Sequence, residues 1–217
     1  MKNMRAIKQL RNQISEDIFD YTQVMHVLSE YKKPRDVVTR LLKNRDIIRI
    51  RKGLYVFGKM WQRHSIPKET LANLIYGPSA VSLEYALSYY NLIPEGVRSV
   101  TSVTTGRSRS FSTPLGHFSY EHLSPERFAH GLTRIQDRHI STIMTTPLKA
   151  LADKVWTDKR FQPISPASCE TYLFDDLRLD TSILKDFYDE KIFREIERCY
   201  HARKITWLGI FLKRFMS

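Results

Sequence analysis

The chain has 217 residues, with 35 Lys or Arg against 23 Asp or Glu, a formal net charge of +12 and a pI near 9.7. Hydrophobic residues at 42% and charged residues at 27% exclude wholesale disorder, and eight Gly and nine Pro exclude a collagen-like or low-complexity chain. Cys169 and Cys199 are too few for a disulfide framework, and no apolar run reaches the length of a membrane span or signal core, so a cytoplasmic protein without membrane association is expected.

The excess of cations makes a polyanion the first partner to consider. It is not spread evenly. Residues 1–65 carry a net +9, residues 66–165 a net +3, and residues 166–217 are neutral. This distribution predicts a small basic module, residues 1–60, ahead of a nearly neutral body, residues 66–217.

In the module, Ile7, Leu10 and Ile14 recur at helical spacing. Asp20 and Thr22 are N-cap types, and Val24, Val27, Leu28 and Tyr31 continue as a second helix. Pro34 suits the first turn of a third. There Val37, Val38, Leu41 and Leu42 share a face, and Arg35, Asp36, Thr39, Arg40 and Lys43 fall on the opposite arc. The period then changes. Ile48–Arg51 alternates as a half-buried strand, Lys52-Gly53 is a two-residue turn, and Leu54–Phe57 returns. A plain hairpin pairs Arg51 with Leu54, Ile50 with Tyr55, Arg49 with Val56 and Ile48 with Phe57, leaving Arg49 and Arg51 outward beside Lys52.

Three helices followed by a basic hairpin is the plan of a winged helix-turn-helix. Arg35, Thr39, Arg40 and Lys43 would then read or approach the major groove. Lys32 and Lys33 would approach the backbone, and Arg49, Arg51 and Lys52 would form the wing. The same elements also occur in protein-interaction modules, and a module that binds a protein toxin directly is an alternative reading.

The body reads as α+β. A helix over Lys68–Ile75 stops at Gly77-Pro78, and Ser82 is placed to cap a helix with Leu83, Ala86, Leu87 and Tyr90 on one face. Strands are predicted at Val100–Thr104, Ser110–Ser112, His117–Glu121 and His139–Met144. Thr146-Pro147 opens a helix with Leu148, Leu151 and Val155 on one side. From about residue 167 a helical tail follows, with a stripe of Leu184, Tyr188, Ile192, Ile196 and Cys199 and a last helix around Trp207 to Phe215. Tyr85, Tyr89, Tyr90 and Phe118 read as core rather than as a base-stacking platform.

Three stretches resemble the AbiEi family, the antitoxin half of type IV toxin–antitoxin systems. Leu41–Tyr55 is similar to the family's run from recognition helix into wing. Ala80–Pro94, continuing through Val103–Arg109 and Thr113–Tyr120, is similar to its serine–leucine helix, basic strand and glycine-containing hairpin. Thr146–Asp153 is similar to a Pro-Glu-Lys-Ala-Leu-x-Asp element, with Leu148 in place of the acid. The resemblance spans roughly residues 20–160. It implies a DNA-binding N-terminal domain that represses its own operon; because a single winged helix makes a small interface, two or more copies are expected to meet on promoter repeats. It also implies a C-terminal domain that counters a nucleotidyltransferase-like toxin.

An enzyme requires a different constellation. An acid-x-Lys pattern, Asp189-Glu190-Lys191, lies in a charge-dense tail segment and reads as a solvated helix face; a metal-dependent DNA-processing enzyme is the alternative it leaves open. Asp153 followed by Lys154 has the wrong spacing and reads as capping or solvating its helix. Cys199-Tyr200-His201, and His117 with His122, lack the companions of a zinc site. Ser82 and Ser119 are not in a nucleophile elbow, and no glycine-rich phosphate loop is present. The expectation is therefore no catalytic residues, no metal and no cofactor. Arg107 and Arg109, alternating along a strand, form a second basic surface that would serve DNA, the antitoxin activity or neither.

Overall fold

The computed structural model describes residues 2–137 and 140–216. The chain is mixed α+β and divides into two compact units, Met1–Ile75 with Thr113–Leu115, and Tyr76–Ser112 with Gly116–Ser217.

The first unit runs α1 (Lys2–Gln13), β1 (Ile18–Asp20), α2 (Tyr21–Val27), α3 (Pro34–Lys43), β2 (Ile47–Arg51), β3 (Leu54–Phe57) and α4 (Lys68–Ile75). Its core gathers Ile7 and Leu10 of α1, Val24 of α2, Val37 and Leu41 of α3, and Phe57 of β3, each at most 2% exposed. Burying each aliphatic side chain stabilises by roughly 1.5–3 kcal/mol, which is what holds helices this short. Local caps set their limits. Asp20 accepts from the Gln23 amide while the Gln23 side chain accepts from the Asp20 amide, a reciprocal cap at the start of α2. That helix ends at Val27, so Tyr31 reaches the core from outside it.

Two features of the sheet depart from the sequence reading. Ile18–Asp20 adds a third strand, so the order is β1-β3-β2, all antiparallel. The hairpin register also shifts. Arg51 faces Leu54 as expected, but Arg49 faces Tyr55, Ile48 faces Val56 and Ile47 faces Phe57. A bulge between Arg49 and Arg51 leaves Ile50 as the extra residue. The cause is burial: Ile47 and Ile50 are 0% and 6% exposed, and residues three apart share a strand face only when one is looped out.

The second unit contains β4 (Ser79–Val81), α5 (Leu83–Tyr89), β5 (Val100–Thr104), β6 (Arg109–Thr113), β7 (Gly116–His122), α6 (Pro125–Ala129), β8 (Leu132–Asp137), β9 (Ile140–Thr145) and α7 (Pro147–Thr157). The tail adds α8 (Pro166–Thr171), one π-type turn over Tyr172–Asp176, α9 (Thr181–Phe187), α10 (Glu190–Tyr200) and α11 (Arg203–Met216). Its strands form a sheet of order β6-β7-β5-β4-β9-β8. β4 pairs antiparallel with β5 and parallel with β9, β5 pairs parallel with β7, and β8 pairs antiparallel with β9. β4, α6 and β8 were not foreseen, and His139 of the predicted strand lies outside the described residues.

Helix α7 sits at the centre of this unit, against α5, α9, α10 and α11. Leu148, Leu151 and Val155 are buried as predicted, but so are Lys149, Ala150, Ala152 and Asp153. The helix is therefore buried nearly all round. The stripe predicted for the tail is broken: Tyr188 and Asp189 separate α9 from α10, and Ile192 is 45% exposed. Among the described residues, no helix is long and apolar enough to cross a membrane.

Candidate nucleic-acid interface

Helix α3 begins on Pro34, whose missing N–H costs nothing in the first turn. Val37, Val38 and Leu41 anchor one face in the core, with Leu42 partly buried, so the opposite face turns to solvent. Arg35, Thr39, Arg40 and Lys43 are all exposed there. Thr39 donates its hydroxyl to the Arg35 carbonyl at 3.0 Å, which leaves its oxygen as the group able to receive a donor. Lys32 and Lys33 are exposed just ahead of the helix, and the Lys33 side chain makes no capping bond. The two lysines thus directly precede the N-terminus of α3, whose first turn carries Asp36.

The hairpin follows α3 after three residues. Its turn is set by Gly53 at φ 87°, where a side chain would be strained, and the Gly53 carbonyl accepts from the Tyr21 amide at 2.9 Å. Arg49, Arg51 and Lys52 are exposed along it. Beneath them β3 is buried along its whole length, and Phe19 packs on Phe57 with ring centroids 4.5 Å apart. Lys32, Lys33, Arg35, Lys43, Arg49, Arg51 and Lys52 have no carboxylate partner among the described residues. The structure therefore brings the nine predicted contact residues onto one unit and leaves all nine in solvent.

Arg45 was missed. It is exposed at the end of α3 with φ 58°, and the adjoining chain holds it there. An ideal Cβ on Gly58 would lie 1.9 Å from the Arg45 carbonyl oxygen, so only glycine fits that crossing. The signal was available, because Arg45 stands between the predicted helix and the predicted wing.

A buried ionic cluster steadies this unit. The Arg11 guanidinium donates to Asp17 Oδ1 at 2.5 Å and to the carbonyls of Ile14 and Ser15 at 2.6 Å, closing the end of α1. Asp17 also accepts from the amides of Arg63 and His64. Burial lowers the Arg11 pKa, opposed by its bond to Asp17.

Arg107 and Arg109 lie in the second unit and are exposed. Arg107 falls in the turn before β6, so the two do not alternate along one strand as predicted; a Cβ on Gly106 would lie 2.5 Å from the Tyr76 hydroxyl. Arg109 starts the edge strand β6, its guanidinium 5.6 Å from the Tyr76 ring centroid. Tyr89 is 46% exposed and Phe118 1%, so of these two only Phe118 is core; Tyr85 and Tyr90 are half-buried.

The acids considered for catalysis are engaged elsewhere. Asp189 caps α10 through the Ile192 amide, and Glu190 pairs with Arg194 at 2.7 Å. Among the described residues, no three His, Cys, Asp or Glu side chains gather as a metal site.

Asp153 overturns its sequence reading. It neither caps nor solvates α7 but is 0% exposed, as is Lys149, with which it forms an ion pair. Asp153 also accepts from the Tyr200 hydroxyl and, at 2.6 Å, from Ser82 Oγ. Lys149 Nζ donates to Tyr200 at 2.8 Å, and Thr145 Oγ1 donates to Ser82 at 3.0 Å. Ser82 is consequently not a side-chain cap for α5, and Leu83 beside it is held at φ 59°. This closed cluster joins β9, the residue before α5, α7 and α10, and each of its five members is 0% exposed.

A scan of the chain against protein-family models finds no match, and a search of the curated proteins finds none.

Proposed function

We propose that the first unit is a winged helix-turn-helix that binds double-stranded DNA, and that the chain is a non-enzymatic autorepressor and antitoxin of a type IV toxin–antitoxin system. The observation that carries the DNA reading is the exposure of all nine predicted contact residues around α3 and the β2–β3 hairpin. In this reading α3 enters the major groove, where Arg35 and Arg40 are suited to the O6 and N7 acceptors of guanine. Lys32 and Lys33 hold phosphates at its start, and Arg49, Arg51 and Lys52 hold the flanking backbone. One such module makes a small interface, so repression uses two or more copies on repeated half-sites.

The antitoxin half of the proposal is supported by the sequence resemblance of residues 80–120 and 146–153. Its functional partner is a nucleotidyltransferase-like toxin.

A gel-shift assay with DNA from upstream of the protein's own reading frame tests the first half. A retarded band that resists excess unrelated DNA is expected, together with repression of a reporter. No retardation, or equal retardation by any sequence, would overturn the repressor reading. Co-expression with a nucleotidyltransferase encoded beside the gene tests the second half. Growth restored by the second unit's sequence supports it, and growth arrest unrelieved by the full chain contradicts it.

A further inference from the structure

The neutral tail hides a local charge imbalance. Helices α10 and α11 meet at His201, which adopts φ 46° and so turns the chain sharply. The elbow forms a cleft of about 630 Å³ lined by Arg194, Glu197, Arg198, His201, Arg203 and Thr206. Arg194 is shared with Glu190 at 2.7 Å. Arg198 and Arg203 are exposed and have no carboxylate partner among the described residues. The tail holds as many acids as bases, so composition did not force this.

The position of the arginines is also unfavourable in isolation. The first turn of α11 carries no acid, and Arg203 stands at the end where the helix dipole disfavours a cation. Lys204 escapes by donating to the Asp158 carbonyl at 2.6 Å, whereas Arg203 stays in the cleft. Glu190 pairs with Arg194, and among the described residues that line the cleft Glu197 is the one acid set against Arg198 and Arg203. Arginine rather than lysine is the residue suited to a forked, bidentate contact with phosphate oxygens.

We infer that the α10–α11 elbow is a phosphate-binding site, taking the phosphate of a free nucleotide or of a nucleic-acid backbone on Arg198 and Arg203 with Arg194 at its rim. It is independent of the DNA reading of the first unit.

The test uses the full chain at low ionic strength, followed by the amide NMR signals of Arg203 to Thr206. Inorganic pyrophosphate is titrated first, then ATP, then a short DNA duplex. Saturable shifts at these amides are expected with pyrophosphate. Affinity at the elbow should fall about tenfold for each of Arg198→Ala and Arg203→Ala, the loss of one charge-assisted contact. Tighter binding of ATP than of duplex assigns the site to nucleotides, and the reverse assigns it to a nucleic-acid backbone. Because the first-unit amides report separately, loss of DNA binding there leaves the elbow result readable. Shifts that do not saturate, or an equal loss in Arg178→Ala/Lys185→Ala, would show bulk charge only and overturn the proposal. Arg203→Lys checks folding and should keep part of the affinity.

Discussion

The Lys149–Asp153 pair gives the sharpest test of how the second unit is held together. Both side chains are 0% exposed, so removing one leaves the other buried without its ionic partner. Breaking such a pair costs about 3–5 kcal/mol. The two halves are not equal here. In Lys149→Met, Asp153 keeps the hydroxyls of Tyr200 and Ser82, which places the loss near 3 kcal/mol. In Asp153→Ala, Lys149 keeps only Tyr200, and both hydroxyls lose their acceptor, which places the loss near 5 kcal/mol. The double variant Lys149→Met/Asp153→Leu replaces charge by apolar volume and should be more stable than Asp153→Ala alone. At about 2–4 °C per kcal/mol, differential scanning calorimetry should show drops of about 6–12 °C and 10–20 °C for the single variants. Drops under about 3 °C in both single variants, or a double variant no more stable than Asp153→Ala, would refute the coupled-cluster account.

Gly58→Ala should destabilise the first unit by about 3 kcal/mol, measured by urea unfolding, because the new Cβ would lie 1.9 Å from the Arg45 carbonyl oxygen and backbone must shift to admit it. Burial tends to raise the Asp158 carboxyl, but hydrogen bonds from Arg160 and Lys154 prevail and hold it well below the usual carboxylate range. A depressed folded-state value means its contribution is complete above about pH 4 and is lost as pH falls through that value. The stability advantage of the native chain over Asp158→Asn should therefore shrink only in acid, as followed by circular dichroism. Burial pushes the Cys169 thiol up to about 12, so in the folded chain it should resist a disulfide reagent near pH 8 and react on unfolding. Prompt reaction of Cys169 in the folded chain would contradict its burial.

Elements with strong local punctuation were legible in the sequence. Pro34, the Asp20 cap, the Lys52-Gly53 turn and the Gly77-Pro78 stop placed α3, α2, the hairpin and α4. Strands of three residues, β1 and β4, are too short to show a period. The run Ile47-Ile48-Arg49-Ile50-Arg51 fits two registers, and only burial of Ile47 and Ile50 together selects the bulged one. The exposed arc of α3 was readable because amphipathicity reports solvent directly. The Asp153 cluster was not, because charged residues on α7 imitate a solvated face. The i, i+4 spacing of Lys149 and Asp153 was a visible clue, but Tyr200 and Ser82 join them only through the tertiary fold.

The central claim is that the exposed cations of α3 and the hairpin bind duplex DNA. Fluorescence anisotropy of labelled promoter duplex, titrated at increasing salt, measures it. With ~6 phosphates neutralised, the log–log slope should be about −5, and Arg40→Glu/Arg51→Glu should abolish specific binding and flatten the slope. Binding indifferent to salt, or unchanged in that double variant, would contradict it.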